Sequence, residues 1–483
     1  MHGFAVLRIL GLLLMLFSLT MLPPIVIDWW EGEDDGHAFI KALLLILSLG
    51  FLLWLPFRHH AAELRLRDGF MVVVSFWLGL GLAGGVPLYL SDSTALSLTD
   101  SIFESISGLT TTGATVIVGL DALPSSILFY RQQLQWLGGM GIIVLAVAIL
   151  PMLGIGGMQL YRAETPGPVK DNKLTPRITE TAKALWNIYL LLTVACALAY
   201  WAAGMGLFDA VGHAFSTVAI GGFSTHDASL GYFDNRGIEL VAIVFMLLSG
   251  INFALHFTVL RQKRLTAYLR DAELRTYLGV MAVVGLITVA YLWQTRTFHE
   301  PLDALIEGLF QVVSIGTTTG FTTQAYYSWP GFLPVLLLYL SFMGGCAGST
   351  GGGIKVIRIL LLVKQGAREL KRLVHPSGRF AVKLGRQAVP DKVVEAVWGF
   401  FAAYFALSAL MILLLMASGL DQETAFSAVA ACLNNLGPGL GDVGQNFAGI
   451  NDFAKWVLSL AMLLGRLEIF TLLVLFTPTF WRK

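Results

Sequence analysis

The sequence predicts an all-α polytopic membrane protein: a two-helix N-terminal hairpin, then four membrane–loop–membrane repeats in pseudo-fourfold symmetry around one axis. Three observations predict it. Of the 483 residues, 56% are hydrophobic and only 13% charged, with a mean hydropathy of +0.72, so the apolar excess needs lipid as its solvent. A polar stretch carrying glycine returns four times: Thr110-Thr111-Thr112-Gly113, Ala219-Ile220-Gly221-Gly222, Thr317-Thr318-Thr319-Gly320 and Asn434-Asn435-Leu436-Gly437. Each stretch lies between two long apolar segments, and the final glycines stand about a hundred residues apart.

The hairpin occupies residues 1–60, with spans near 6–29 and 38–57 joined by the acidic turn Glu31-Gly32-Glu33-Asp34-Asp35. Arg8 followed by apolar residues 9–27 imitates a signal peptide. No small-residue cleavage site comes before Pro23-Pro24, so the segment reads as a retained span. The repeats follow at 61–165, 166–265, 266–375 and 376–483. Their first spans fall near 69–91, 181–204, 275–295 and 393–418, and their second spans near 128–155, 237–260, 331–364 and 453–478. Ten crossings of ~20 residues suffice for a ~30 Å hydrocarbon core, and an even number puts both termini on one side.

Charge decides which side. Arg58, Arg65 and Arg67 share one loop; Arg162, Lys170, Lys173, Arg177 and Lys183 share the next. Arg261, Lys263, Arg264, Arg270 and Arg275 follow, then Lys364, Arg368, Lys371, Arg372, Arg379, Lys383, Arg386 and Lys392. All fall on the face of Arg8 and Arg482-Lys483, which the positive-inside rule makes cytoplasmic. Topology alone accounts for any one such cluster, although the 365–393 loop is also long enough to touch a cytoplasmic partner. A net charge of +1 argues against a nucleic-acid surface. Cys196, Cys346 and Cys432 lie in apolar segments, which argues against a disulfide framework or a zinc site.

Before each glycine runs an apolar stretch too short to span: 100–109, 209–218, 303–316 and 421–432. Non-helical backbone at membrane depth must be buried in protein or face water. Short helices entering from outside and ending near the glycine satisfy that rule, with the negative ends of their dipoles at the axis. Asp100, Asp209, Glu307, Asp421 and Glu423 sit towards the opposite ends and read as structural complements of the helix N-termini, not as ion ligands. Glycine lets carbonyls line up, because it reaches positive φ cheaply. One such loop would read as a tight turn. Four of them around one axis give a ring of carbonyls able to replace the water shell of a potassium ion, hence a single ion pore.

These loops, with CAGSTGGGIK at 346–355, LGRLE at 464–468, QLQWLGGMGIIVLAVAILP at 133–151 and IGGFSTHDAS at 220–229, resemble the Trk/Ktr/HKT superfamily of potassium transporters essentially end to end. The resemblance implies that K+ is carried through a filter of mainly backbone carbonyls from Thr110, Thr111, Thr112 and Gly113; Ala219, Ile220, Gly221 and Gly222; Thr317, Thr318, Thr319 and Gly320; and Asn434, Asn435, Leu436 and Gly437. Relatives that favour sodium often carry serine at the first glycine, so Gly113 argues for potassium. The fourth copy departs most. The resemblance also implies a bacterial inner-membrane protein, a homodimer and a cytoplasmic nucleotide-binding regulatory subunit of the TrkA type.

One second span holds Gly344, Gly345, Gly348, Gly351, Gly352 and Gly353 within ten residues. At about 1 kcal/mol of helix penalty each, that stretch is expected to be unwound. It is no phosphate loop, because Ile354 precedes Lys355 and Val356 follows; the resemblance makes it a gate beneath the filter. Arg466, midway along the last span, would cost ~2.5–3.5 kcal/mol facing lipid. An ion pair with another helix is one reading. The sharper one aims Arg466 into the pore below the filter, against the 344–353 stretch. His213 reads as a hydrogen-bonded structural residue. Nothing points to an enzyme or a bound cofactor. The competing transport reading is a symporter coupling potassium to protons or sodium.

Overall fold

The structure is a computed structural model that describes residues 3–33, 35–59, 66–141, 178–385 and 387–482. Helices dominate it. The only strands among the described residues are the two-residue pair Lys383–Leu384 and Gln387–Ala388. Six described helices are long and apolar enough to cross a membrane: Gly3–Glu31, Gly36–Phe57, Arg67–Leu90, Lys183–Ala202, Ala272–Gln294 and Asp391–Ala417.

The first two form the expected hairpin. Gly11 and Gly50 let their backbones touch: a Cβ at Gly11 would stand 2.6 Å from Gly50 O, and one at Gly50 2.7 Å from Gly11 O. Small residues at such a crossing allow the close packing that holds helices together in lipid.

The second spans are where expectation and structure part. Those near 237–260 and 453–478 are expected to be continuous, and both are broken. Arg236–Ser249 and Phe253–Gln262 meet at 92°, and Asp452–Arg466 meets Phe470–Phe476 at 106°. At the second break Glu468 and Ile469 take positive φ of 53° and 57°, a region that side chains with a Cβ rarely adopt. Near 331–364, helix Leu333–Met343 gives way to irregular backbone, and helix Val356–Val374 resumes after it. Near 128–155, helix Ser125–Trp136 runs into a π-helical turn, Leu137–Gly141. Residues 142–155 lie outside the described residues, as do Asp34, Arg65, Arg162, Lys170, Lys173, Arg177, Arg386 and Lys483.

Four short helices precede the glycines: Leu98–Leu109, Leu207–Ala219, Pro301–Thr317 and Gln422–Leu433. Asp100, Asp209 and Glu423 lie in first turns and Asp421 at an N-cap, as expected, whereas Glu307 lies further inside its helix. Asp421 is a true N-cap, accepting from the backbone N–H groups of Glu423 and Thr424 at 3.0 and 3.1 Å. Asp100 shares a cap with Ser97 and pairs with Lys455 at 2.7 Å. Asp209 and Glu307 instead take the hydroxyls of Thr225 and Thr323, at 2.7 and 2.5 Å. Each threonine stands three residues past its loop's glycine, so these carboxylates brace the chain as it leaves the loop. Buried apolar clusters join these elements: one runs through residues 5–46, 72–134 and 400–472, and another through 185–253 and 310–321.

Candidate functional site

The four glycine loops touch one another in a closed cycle. A Cβ at Gly113 would strike Gly221 O, one at Gly222 would strike Thr319 O, and one at Gly320 would strike Leu436 O. The cycle closes at Gly437, where a Cβ would stand 2.7 Å from Thr112 O. At all four positions φ is positive, at 80°, 80°, 86° and 98°. Glycine is therefore required twice over, by conformation and by the neighbouring loop.

A second positive-φ position recurs two residues earlier, and glycine reasoning does not reach it. Thr111, Ile220, Thr318 and Asn435 have φ of 54°, 57°, 71° and 54°. The residues before them are right-handed or helical: Thr110 and Asn434 at φ −78° and −83°, and Ala219 and Thr317 at helix ends. Alternating hands turn successive amides so that N–H groups gather on one side and carbonyls on the other. A left-handed isoleucine is costly, of the order of 1–3 kcal/mol, so its surroundings must hold it.

Those surroundings are polar and buried. Thr110 and Thr112 share a hydroxyl hydrogen bond of 2.7 Å, and Thr317 and Thr319 share another of 2.7 Å. Asn435 Nδ2 donates to Thr112 Oγ1 at 3.0 Å, tying the fourth loop to the first. Asn434 is fixed by Tyr404 and Ser341. Behind the second loop, Gln135 donates to Gly221 O at 2.7 Å and accepts from Phe223 N at 3.0 Å. Arg131 and Glu104, both fully buried, form an ion pair at 2.8 Å. The arginine continues to Ser224 O, and the carboxylate takes Val116 N–H at 2.9 Å. One pair thereby anchors the exits of the first two loops. His213 hydrogen-bonds Asp209 O and Ser224 Oγ at 2.9 and 2.8 Å. Farther out, partial burial works to raise the Asp121 carboxyl, but hydrogen bonds from His226 and from the Asp227 N–H outweigh it and hold that carboxyl below the usual range.

Not every carbonyl of the sixteen residues is free. Gly221 O is taken by Gln135, and Asn434 O accepts Gly353 N–H at 2.9 Å. Gly353 belongs to the irregular stretch 344–353, which lies against the inner ends of the loops. Gly352 N–H donates to Thr318 Oγ1 at 2.7 Å, and Thr350 Oγ1 donates to Val218 O at 2.9 Å. Gly344, Gly348 and Gly353 take φ of 63°, 76° and 73°. Gly345 and Gly351 pack together, since a Cβ at Gly351 would sit 3.3 Å from Gly345 N. Arg466, the last residue of its helix, enters the same place. Its guanidinium donates to Thr350 O and Thr111 Oγ1, each at 3.1 Å, and to Gly138 O and Gly139 O at 2.5 and 2.7 Å. The last two carbonyls belong to the π-helical turn. Glu468 does not face Arg466; it pairs with Arg358, which stacks over Phe400 with 4.3 Å to the ring centroid.

The family model for TrkH, a cation transport protein, matches residues 35–483. The chain belongs to the TrkH family of cation transport proteins. Over its whole length this TrkH-family chain is similar to curated proteins of the same kind. It is 60% identical over 478 residues to the Trk system potassium uptake protein TrkH of Halomonas elongata, covering 99% of both chains. It is 57% identical over 483 residues to TrkH of Escherichia coli and 44% over 482 residues to TrkG of that organism, with 99% or more of each chain covered. The crystal structure of the potassium transporter TrkH from Vibrio parahaemolyticus superimposes with a TM-score of 0.91 at 56% identity, covering 100% of both chains. Sequence reasoning on this TrkH-family chain misses Glu104, Arg131, Gln135, Gly138 and Gly139. Their signal is visible in retrospect: an arginine and three glutamines crowd 131–135 inside an otherwise apolar unit.

Proposed function

We propose that this chain is a potassium uptake subunit of the Trk type. In this reading K+ sheds its water into oxygens contributed by 110–113, 219–222, 317–320 and 434–437, arranged in pseudo-fourfold symmetry. The membrane potential drives it inward, at about 2.3 kcal/mol per charge per 100 mV. The observation that carries the reading is the closed cycle of glycine contacts, with the same two left-handed positions in every loop. Rings of carbonyls held in this way replace an ion's hydration shell. The names of the curated relatives, all Trk system potassium uptake proteins, supply the ion and the direction.

Below the ring, Arg466 and the stretch 344–353 act as the barrier that must move before ions pass. A cation in the path opposes K+ electrostatically, and the stretch plugs the path sterically. The chain works as a homodimer in the bacterial inner membrane, with both termini cytoplasmic, and its barrier is controlled by a cytoplasmic nucleotide-binding subunit of the TrkA type. No bond is made or broken, so it is no enzyme.

Purified protein in liposomes tests this. Under an inward potential it takes up K+ in clear preference to Na+; equal uptake of the two, or none with the regulatory subunit present, overturns the proposal. Broken helices also house the sites of coupled carriers, and the two breaks near 250 and 467 keep that reading in play. Reversal potentials separate them: a channel follows the K+ gradient alone, whereas a symporter shifts with protons or sodium.

A further inference from the structure

Glu273 lies in the first turn of helix Ala272–Gln294, yet its carboxylate leaves that helix. One oxygen, Oε1, accepts the Ala347 N–H at 2.7 Å and the Ile357 N–H at 3.1 Å. Ala347 lies inside the irregular stretch, and Ile357 is the second residue of the helix that follows it. A single oxygen therefore holds both limbs of the 347–357 arc. Ile357 N–H is one of the first amides of a helix, which have no partner within it, and Ala347 N–H belongs to backbone with no regular ladder.

We propose that Glu273 is the positioning residue that latches the 344–353 stretch in its place under the glycine loops. The inner end of the arc has its own anchors, Gly352 to Thr318 and Gly353 to Asn434. Those anchors tie the stretch to the glycine loops, whereas Glu273 ties it to helix Ala272–Gln294 through Ala347 and Ile357. Releasing the latch loosens the limb around Ala347, which then keeps only its bonds to Gly250 O and Phe253 N–H on one side and those of Thr350 on the other, while the ring itself stays intact. The effect on flux rests on the reading of 344–353 as a gate; the latch itself does not.

A native reporter sits beside the latch. Cys346 is buried and free, as are Cys196 and Cys432 elsewhere in the chain. The experiment treats the full-length protein with N-ethylmaleimide and follows modification at each cysteine by mass spectrometry, alongside K+ flux in liposomes. In Glu273→Ala, Cys346 is modified at least about tenfold faster, while Cys196 and Cys432 stay as slow as before. Flux rises with it. Glu273→Gln keeps Oε1, so it stays near the unaltered rate, a rescue that a mere need for charge at the helix start would not give. Unchanged Cys346 reactivity in Glu273→Ala overturns the proposal. So does Glu273→Gln reacting as fast as Glu273→Ala, or an equal rise at all three cysteines, which would make Glu273 a support of the whole fold. Faster Cys346 modification with unaltered flux leaves the latch standing and sinks the gate.

Discussion

Arg466 donates to the carbonyl oxygen of Thr350 at 3.1 Å, and the same guanidinium reaches Thr111 in the first glycine loop. A helix-terminal arginine thus ties the irregular stretch to the ring. The Gly138 and Gly139 carbonyls also accept from it. A cation held there raises the free energy of any second cation nearby. Arg466→Ala is expected to increase K+ flux roughly tenfold, the equivalent of about 1.4 kcal/mol of barrier. Arg466→Lys keeps the charge but loses the fork, and should fall between the two. Flux assays in liposomes check this. Unchanged or lower flux from well-folded Arg466→Ala would refute the barrier role.

Gly113 combines a positive φ of 80° with a neighbour, Gly221 O, that leaves no room for a Cβ. Gly113→Ser must either push the second loop away or twist the first, and both changes alter the oxygen spacing. The preference for K+ over Na+ should drop at least tenfold, a discrimination loss of about 1.4 kcal/mol or more. Reversal potentials in asymmetric K+ and Na+ measure it. Preserved selectivity would mean that the first loop does not contact the ion.

Much of this architecture is legible in the chain itself. The four glycines announce the loops because few other residues tolerate such backbone, and the apolar runs around them announce the spans. Six glycines between 344 and 353 announce an interrupted helix for the same reason. The fourth loop looks most divergent in sequence, yet its backbone matches the others: Asn435 and Gly437 take φ of 54° and 98°. Asparagine tolerates the left-handed region better than most residues, so a change of letters hides an unchanged conformation. What the sequence conceals has two sources. Ile220 and Thr318 are left-handed against their own preference, because burial overrides propensity. The breaks at Gly250–Asn252 and Leu467–Ile469 lack a glycine run. Tertiary bonds hold the first, where Cys346 N–H meets Gly250 O at 2.8 Å and Phe253 N–H meets Gly348 O at 3.0 Å. Such partners lie about a hundred residues away and leave no local trace.

The Glu104–Arg131 pair supplies a stability prediction. Both side chains are fully buried, and the arginine stacks over Phe223 with 4.3 Å to the ring centroid. Removing one partner strands a charge away from water, at ~3–5 kcal/mol. Arg131→Met and Glu104→Gln should each lower the unfolding temperature in detergent markedly. The double variant should lose less than the sum of the two, since no charge is then left alone. Thermal unfolding followed by size-exclusion retention provides the measurement. Additive losses would show that the two groups act independently.

Asn435 offers the most direct test of whether the loops form one cooperative unit. Its Nδ2 donates to Thr112 Oγ1 at 3.0 Å and to Met462 O at 2.9 Å, joining the fourth loop to the first and to the last long helix. Asn435→Asp keeps the shape and much of the tolerance for positive φ but removes the donor, so a carboxylate confronts the Met462 carbonyl. Leaving a buried acceptor unpaired costs ~1–3 kcal/mol. That strain falls on the contact between Gly437 and Thr112. K+ uptake should fall several-fold and Na+ permeation should rise, although the substitution lies on the side of the ring opposite the second loop. Asn435→Ala loses the donor without adding charge and should show a milder form of both effects. If Asn435→Asp lowers uptake while selectivity stays intact, the fourth loop supports the ring without sharing its geometry, and the cycle of contacts is packing alone.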